Sequence, residues 1–596
     1  MSEKVQRKKK GNVFIITGAS GVKPQLSLGK FNVFLKQKKK QRVKIVDVEK
    51  KLVSFALRES VCRHSQHFQQ AIKQGKNPII AIVSLPYQLL RRIWGRAMVN
   101  VHKETLRSVN SGCNVAVVLH AVHFNPISTE LRPIVDTGQI DALKPKCVVN
   151  LIDDVDDIYR WLAEPGGVLD RSANPEGPFE QIESSVKNLS TVLIWRQAEG
   201  GSSVHMAGLL GSIPHFTIAT KHSCRLLEHV FDANPYRVYL SHPISEARRL
   251  VASGNQGLFD EWSREIGNLA DHLSKELPVW EPTTIDELRI RSTKVKLVSG
   301  SEQPDTEIAL PRFLPRWPFR RTDKFLWPNQ LDSMPEILDP AGFFTEEDIA
   351  KIEGAKTWEE IVNLLGADKS TQLRFISGQI ANLQDLIGQQ INARDRTLVG
   401  QCPVLVAYRP LFNGNPATGV LRELQAHQML VELEHFPDGL KPAVFVLENG
   451  EDERLLWRNT IKEFCIPKGR WSQYVREAQG GALSENLAQR IGDFLTGGTL
   501  NAKRIVNTMQ RASQEMAFSW GPPKKTQSIL NGVGRGTTAW MDFVSERIND
   551  LGNKVQEKMK YRTVLKKYKK GTVFRSRDIG VIDFAKEVIK RLKKID

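Results

Sequence analysis

The first 230 residues alternate between short apolar runs and longer amphipathic stretches. Short apolar runs that end in small or polar residues predict buried strands, whereas apolar positions spaced three and four apart predict helices. The strand-like runs are NVFIITGAS, RVKIVDV, PIIAIVSL, CNVAVVLHAVHF, CVVNLI, STVLIW and HFTIAT. The helix-like stretches are VEKKLVSFALRESVCRHSQHFQQAIKQG and IYRWLAEP. This alternation predicts an α/β domain over residues 1–230, built on a doubly wound parallel sheet.

A second strand and helix series covers residues 235–452 and predicts a second doubly wound parallel sheet. It contains, in order, YRVYLSHPISEARRL, the helix-like GLFDEWSREIGNLADHLSKEL, and the strand-like VWEPTTI, CPVLVAYRP and PAVFVLENG. Before CPVLVAYRP we expect a charged turn at Arg394 and Asp395, followed by a short helix. Thr418 is the expected N-cap of the helix TGVLRELQAH. Glu423 then falls in the second turn, with His427 four residues later on the same face.

Two further segments depart from this alternation. The stretch 292–345 is rich in Pro and Trp, and its prolines exclude a central strand or a long helix. A long irregular insertion of this kind is either a functional lid or a disordered excursion. Residues 453–596 have helical periodicity and predict a mainly helical, basic C-terminal region. Its last predicted helix carries an apolar stripe of Val581, Phe584, Val588, Ile589 and Leu592.

The charge of the chain favours polyanionic partners. The formal net charge is +19 and the pI is about 9.5, a balance that favours nucleic acid or nucleotides through phosphate contacts. Residues 554–596 hold 15 Lys and Arg against 5 Asp and Glu. Tyr561 and Tyr568 add aromatic rings on which bases can stack. Basic runs are equally typical of solvated faces that keep a protein soluble, so a nucleic-acid partner is a hypothesis here.

Cysteine usage and hydropathy indicate a cytoplasmic protein. No two cysteines form a C-x-x-C pair, which predicts reduced thiols rather than disulfides or a zinc site. The cysteines are Cys62, Cys113, Cys147, Cys224, Cys402 and Cys465. No apolar run approaches the length of about 18 residues that a transmembrane helix needs, and the basic N-terminus lacks a signal-peptide cleavage pattern. We expect no membrane partner, and homo-oligomerisation stays open.

The stretch TGASGVKPQLS resembles the P-loop of the nucleotide kinase fold. Gly18, Gly21 and Lys23 follow a predicted strand and precede a predicted helix, and they are the candidate nucleotide-binding residues. A working P-loop has the pattern G-x-x-x-x-G-K-[ST], in which backbone amides and the lysine hold phosphates and the hydroxyl holds Mg²⁺. Here the lysine comes one residue early, and Pro24 replaces the hydroxyl and removes an amide. We expect a degenerate P-loop domain that does not phosphorylate, with a nucleotide as its candidate ligand.

Residues 1–230 contain other motifs that bear on the function of the first domain. Asp153 or Asp154, after the strand CVVNLI, would be the acidic partner of a kinase-like phosphate loop. A short-chain dehydrogenase is excluded because no tyrosine has a lysine four residues later. His120 and His123 lack a third ligand in the sequence, so we predict a structural role and no metal.

Four motifs in residues 235–452 resemble the nucleoside 2-deoxyribosyltransferase family, which has a flavodoxin-like sheet. That family opens with a strand of the type Y-L-[AS]-G-P-[FI] and continues with an N/R-D turn before a second strand. A D-x-G-T/V-x-x-E-[IL]-x-x-A helix and a G-K-P-V strand follow. The matching stretches here are YLSHPI, RDRTLVGQCPVLVAYRP, TGVLRELQAH and LKPAVFV. The resemblance spans about 200 residues and is interrupted by the 292–345 insertion.

The resemblance implies a catalytic site. Glu423 would be the catalytic carboxylate, and Asp395 would contact the base or orient Glu423. The candidate substrate-binding residues are Tyr239, Ser241, His242, Tyr408 and Gly419. Two positions depart from the family: His242 replaces a glycine, which would alter the pocket entrance, and Cys402 replaces an acidic residue.

The chemistry of these residue types fits N-glycosidic cleavage. Breaking that bond develops positive charge on the sugar, which a carboxylate attacks or stabilises, and a second acid can protonate the departing base. No cofactor is required for such a step. We therefore expect a hydrolase or transferase acting on a nucleoside, a nucleotide or NAD. Large multidomain versions of this fold resemble effectors of bacterial anti-phage defence or toxin systems.

Alternatives stay open at this point. The ordinary interpretation of Glu423 is a solvated helix residue, as most glutamates are. The whole chain is then a non-catalytic scaffold that binds nucleotide or nucleic acid. A nucleotide kinase is a second alternative, which depends on Lys23.

Overall fold

The structure is a computed structural model that describes most of the first 450 residues and a short C-terminal part. It describes residues 10–58, 66–73, 78–126, 129–164, 167–169, 177–244, 246–247, 250, 255–285, 290–295, 306–313, 320–321, 325–326, 338–339, 341–412, 415–433, 435–436, 442–448, 572–575 and 579–594. Cys62, Cys465, Tyr561 and Tyr568, most of the 292–345 insertion and most of residues 453–596 lie outside these ranges. Among the described helices, none has the length and apolarity needed to cross a bilayer.

The chain forms two compact units. The first comprises Met1–Asn234 and Trp280–Gln401, and the second comprises Pro235–Val279 and Cys402–Asp596. The segment after Val279 therefore returns to the first unit before the chain re-enters the second. Glu423 lies in the second unit, whereas Asp395 lies in the first.

The described elements run in the following chain order. Up to residue 234 they are β1 (Val13–Thr17), α1 (Pro24–Gln37), β2 (Lys44–Asp47), α2 (Val48–Ala56), α3 (Gln66–Lys73), α4 (Pro78–Val83), α5 (Tyr87–Asn110), β3 (Val115–Val118), β4 (Val122–Asn125), β5 (Glu130–Pro133), α6 (Thr137–Asp141), β6 (Cys147–Ile152), α7 (Val155–Ala163), α8 (Pro178–Leu209), β7 (His215–Ala219) and α9 (Cys224–Phe231). From there to residue 400 they are β8 (Val238–Ser241), α10 (Gln256–Ser274), β9 (Val279–Trp280), a 3₁₀ turn (Pro282–Thr284), β10 (Ile290–Val295), β11 (Thr306–Phe313), β12 (Arg320–Arg321), β13 (Phe325–Leu326), α11 (Glu346–Gly354), α12 (Trp358–Leu365) and α13 (Ala367–Gly400). The remainder are β14 (Val404–Tyr408), β15 (Leu411–Phe412), β16 (Asn415–Pro416), α14 (Thr418–Glu432), β17 (Ala443–Glu448), β18 (Val573–Arg575) and α15 (Val581–Leu592).

The first unit is built on a five-stranded parallel sheet in the order β2-β3-β1-β6-β7. The central strands are mostly apolar because both faces of a parallel sheet are covered. In β1 and β6 every residue is buried, and β1 pairs with β3 on one side and β6 on the other. The α/β class predicted for this region is confirmed.

Three element predictions in the first unit are wrong. The run PIIAIVSL forms α4 rather than a strand, and STVLIW lies inside the long helix α8. Short apolar runs have no period that separates a buried strand from a buried helix, so only the packing of the whole unit decides. The expected charged turn at Arg394 and Asp395 does not exist, because both residues lie inside α13, which runs unbroken for 34 residues.

The second unit contains a five-stranded sheet in the order β18-β17-β14-β8-β9. β14 pairs in parallel with β8 and with β17, and β17 pairs in parallel with β18. Numbered by their order along the chain, these strands read 2-1-3-4-5 from the β9 edge. The C-terminal apolar stripe is confirmed in part: α15 buries Phe584, Val588, Ile589 and Leu592.

Part of the Pro- and Trp-rich segment is regular. β10 and β11 form a two-stranded antiparallel ladder, and β12 and β13 form a second, shorter one. β11 contains Pro311, which a two-stranded ladder accommodates because each strand has a free edge.

Candidate functional site

Helix α14 places a carboxylate on its buried face. The helix spans Thr418–Glu432, so Thr418 is its first residue rather than its cap; the cap is Ala417, which has no side-chain acceptor. The buried residues are Val420, Leu421, Glu423, Leu424 and His427. Their spacing is that of the apolar stripe of an amphipathic helix, with two polar residues inside it. Glu423 is only 9% exposed, so the ordinary interpretation of a solvated glutamate is wrong.

Strand β8 supplies two hydroxyl groups to this carboxylate. The Tyr239 hydroxyl donates a hydrogen bond to Glu423 Oε1 at 2.7 Å, and the Ser241 hydroxyl donates a short one to Oε2. Tyr239 and Ser241 are two residues apart on a strand, so their side chains point to the same face of the sheet. Both are fully buried. The two donors therefore hold the carboxylate in one orientation.

This cluster lies at a topological switch point. β8 lies between β9 and β14. The strand that follows β8 along the chain, β9, is added on one side of it, and the later strands β14, β17 and β18 are added on the other side. Ligands of open α/β sheets bind at the carboxyl ends of strands at such a point. Ser241 is the last residue of β8, and its register partner Ala407 is the penultimate residue of β14. The Glu423 carboxylate thus lies where this sheet topology favours a ligand.

The two histidines of the region are neutral. Burial lowers the pKa of His427 to about 4, although its hydrogen bonds to backbone carbonyls act in the opposite direction. His427 Nε2 lies 3.0 Å from the Pro403 carbonyl oxygen, which ties α14 to the start of β14. Burial also lowers the pKa of His242 to about 3. Among the described residues neither ring nitrogen of His242 has a hydrogen-bond partner, and its ring packs 5.3 Å from that of Trp262.

Tyr408 points to a second carboxylate. Its hydroxyl donates a short hydrogen bond to Glu265 of α10, and the Arg409 guanidinium lies 3.7 Å from the same carboxylate. Burial raises the pKa of Glu265, against the charge of Arg409. Arg409 has a φ of 46°, an uncommon conformation for a residue with a side chain, and its buried Nε has no hydrogen-bond partner among the described residues. Arg409 and Glu265 are not among the site residues predicted from the sequence, because neither is a site residue implied by the family resemblance.

Asp395 and Gly419 are the remaining predicted site residues of residues 235–452. Asp395 accepts two hydrogen bonds from Arg394, at 3.0 and 2.8 Å, on α13 of the first unit. Gly419 lies in the first turn of α14, where a Cβ would meet nothing within 4 Å, so no packing constraint requires glycine there. Cys402 is buried, and burial raises the pKa of its thiol.

The phosphate-loop residues of the first unit have other partners. The Gly18 amide donates to Glu199 Oε1 at 3.1 Å, and Gly21, with a φ of 97°, packs against Ile158. Lys23 has a left-handed backbone and its ammonium lies over the Trp161 ring. These glycines are explained by close packing of the loop.

An ammonium group occupies the acidic cluster after β6. Lys221 Nζ lies 2.7 Å from Asp157 and 3.4 Å from Asp153, and it makes a short contact with Asp154. The lysine thus already pairs with the carboxylates that a kinase-like site would present to Mg²⁺. In the described part of the chain, no group of three or more His, Cys, Asp or Glu is arranged to hold a metal ion.

No protein-family model and no curated protein matches the chain.

Proposed function

We propose that the second unit cleaves or transfers an N-glycosidic bond of a nucleoside, a nucleotide or NAD, with Glu423 as the carboxylate that attacks or stabilises the sugar. The observation that carries this proposal is the Tyr239–Glu423–Ser241 cluster at the carboxyl end of β8. Burying a charged carboxylate costs folding free energy unless specific partners hydrogen-bond to it. A carboxylate that is buried and hydrogen-bonded in this way is a candidate for a functional role. Two hydroxyl donors on one strand face are an arrangement that orients a carboxylate.

The strand order supports the same proposal. The order 2-1-3-4-5 is that of flavodoxin-like sheets, which bind their ligands at the switch point beside the first strand. The nucleoside 2-deoxyribosyltransferase family, which the sequence motifs resemble, has a sheet of this kind. The corresponding strand here is β8, which contains Tyr239 and Ser241, and Glu423 contacts both of them.

The geometry suggests how the reaction would proceed. As the bond between base and sugar lengthens, positive charge grows at the sugar carbon, and the Glu423 carboxylate forms a bond to it or stabilises it electrostatically. The electron pair of the broken bond leaves with the base, which takes up a proton from solvent. Water or another base then bonds to the sugar carbon, breaks the bond to the carboxylate where one has formed, and loses a proton to solvent, which completes hydrolysis or transfer. Tyr239 and Ser241 are positioning residues because they act through Glu423.

The test compares two carboxylates of the same unit. We would incubate the full-length protein, Glu423→Gln and Glu265→Gln with NAD, deoxynucleosides and deoxynucleotides, and follow the free base by mass spectrometry. Glu265 is the matched control because it also accepts a tyrosine hydroxyl in a partly buried position. We expect base release by the wild type and by Glu265→Gln, and a loss of at least about a hundredfold in Glu423→Gln. Equal release by all three proteins would refute the role of Glu423.

A second candidate function is a scaffold that binds nucleotide or nucleic acid. The net charge of +19 favours it. Phosphoryl transfer is not proposed, because Lys221 already occupies the acidic cluster and Pro24 replaces the hydroxyl of the loop. Titration with labelled DNA and RNA at low and high salt tests the scaffold. Salt-dependent binding in the absence of any base release would favour it over the enzyme.

A further inference from the structure

The first unit contains a cavity beside the loop that follows β1. Its volume is about 210 Å³, smaller than the roughly 300–1,000 Å³ typical of sites for drug-sized ligands. One part of its wall comes from the loop, with Ser20, Gly21 and Lys23. Another part is apolar and aromatic and includes Trp161 and Trp195. A small ligand with a planar ring and a polar or anionic end matches these walls.

Three ionisable side chains form the polar wall of this cavity. His120 Nε2 lies 3.1 Å from Glu49 Oε1, and His123 Nδ1 lies 3.9 Å from the same oxygen. Burial alone would lower the pKa of His120, but the charge of Glu49 and the hydrogen bonds of the ring outweigh it and raise the pKa to about 9. Burial and the charge of His120 lower the pKa of His123 to about 4. At neutral pH the wall therefore holds one ion pair and one neutral imidazole.

The neutral imidazole has an unused hydrogen-bonding atom. His123 is 2% exposed and lines the cavity, and its Nε2 has no hydrogen-bond partner among the described residues. A buried polar atom without a partner costs roughly 1–3 kcal/mol, and such atoms call for an explanation. A ligand group that hydrogen-bonds to this nitrogen would supply one. The sequence predicts a structural role for His123, and the fold places this residue on the cavity wall.

The loop does not offer a polyphosphate site. Glu199 accepts hydrogen bonds from the amides of Gly18, Ala121 and Val122, so a carboxylate already uses the first amide of the loop. Pro24, at the first position of α1, has no amide to donate. Lys221 already pairs with the nearby acidic cluster. Lys23 is the cation that this loop contributes to the cavity wall.

We propose that this cavity binds a nucleoside or its 5′-monophosphate without a divalent cation. The hydrogen-bonding edge of the ligand would lie against His123 and Glu49, its ring against the apolar and aromatic wall, and a phosphate, where present, near Lys23. The cavity belongs to the first unit, whereas Glu423 belongs to the second, and the proposal does not depend on glycosidase activity. The proposed site also differs from a kinase site, because no triphosphate and no Mg²⁺ are needed.

Isothermal titration calorimetry on the full-length protein tests this assignment. The probes are adenosine, guanosine, cytidine and their 5′-monophosphates, each with EDTA present. We expect at least one probe to bind, and binding to weaken about tenfold or more in His123→Phe, which keeps a ring but removes the nitrogen. His123→Gln retains a hydrogen-bonding group and should keep most of the affinity. Because the substitution to Phe removes an unpartnered polar atom, the apoprotein should be no less stable than the wild type.

Other outcomes overturn the proposal. It fails if none of the six probes binds at millimolar concentration, or if binding requires Mg²⁺ and a triphosphate. It also fails if Glu423→Gln abolishes the binding and His123→Phe does not, since the ligand would then occupy the second unit. Equal affinity in the wild type, His123→Phe and His123→Gln would remove His123 from the site. None of these results bears on base release, so this proposal and the glycosidase proposal can fail separately.

Discussion

Removing the Tyr239 hydroxyl should lower the rate of base release while leaving the Glu423 side chain itself unchanged. Tyr239 is fully buried, and its hydroxyl donates to Glu423 Oε1 at 2.7 Å. In Tyr239→Phe the ring stays in place and only the donor is lost. Ser241 still donates to the other carboxylate oxygen, but the loss of the Tyr239 donor weakens the hold on Oε1 and lets the carboxylate depart from its productive orientation.

The size of the effect follows from the kind of bond. A hydrogen bond to a charged group contributes about 1.5–3 kcal/mol. Since about 1.4 kcal/mol corresponds to a factor of ten in rate, full transmission to the transition state would lower kcat by about 10- to 100-fold. We expect kcat to fall more than KM changes, because Tyr239 orients the reacting group rather than binding the substrate uniformly.

The assay measures base release and stability in parallel. Tyr408→Phe is the comparator, because Tyr408 is equally buried and donates to Glu265 in the same unit. A double-mutant cycle between Tyr239→Phe and Glu423→Gln, measured by denaturant unfolding, gives the coupling energy of the pair and does not require activity. We expect coupling of about 1–3 kcal/mol for this pair.

Two results would refute the reasoning. Turnover of Tyr239→Phe at the wild-type rate, in a folded protein, would show that the hydroxyl does not position the carboxylate. A coupling energy near zero would show that the bond contributes nothing to the fold. If Tyr408→Phe lowers turnover as much as Tyr239→Phe, the hydroxyl of Tyr408 has the substrate-binding role that the sequence predicted.

Two other substitutions test the electrostatics. The folded pKa of His242 is about 3 and its ordinary value is 6.5, so below pH 6.5 the unfolded chain takes up a proton that the folded protein does not, and stability falls as the pH decreases toward 3. His242→Leu should reduce this loss of stability at low pH and leave the stability at neutral pH unchanged or higher. Urea unfolding between pH 4 and 7 measures both, and an unchanged dependence of stability on pH would contradict the prediction. Lys221→Met should destabilise the protein by about 3–5 kcal/mol at neutral pH, because it removes the ammonium group that pairs with the buried Asp154 and its neighbours. Lys351→Met, which removes an exposed pair with Glu347, is its control and should leave the unfolding midpoint unchanged, and equal effects of the two would count against the cluster.

Local pattern alone predicted much of the framework. The apolar runs at β1, β3, β6, β14 and β17 form strands, as predicted. The segments Gln256–Ser274 and Thr418–Glu432, whose apolar positions have helical spacing, form helices. The spacing of Tyr239 and Ser241 put both side chains on one strand face, and that of Glu423 and His427 put both on one helix face. These features depend only on the period of strand and helix, which the order of residues states directly.

Tertiary structure decided the partners. Only the fold shows that Tyr408 donates to Glu265, that Lys221 pairs with the acidic cluster, and that Glu49 contacts His120 on a cavity wall. The same holds for PIIAIVSL and STVLIW, whose helical form follows from how the first unit packs. Periodicity is a property of neighbours along the chain, whereas these contacts join residues far apart in sequence. Their pairing follows from strand order and from the desolvation of charged groups in the folded units, which no local pattern records.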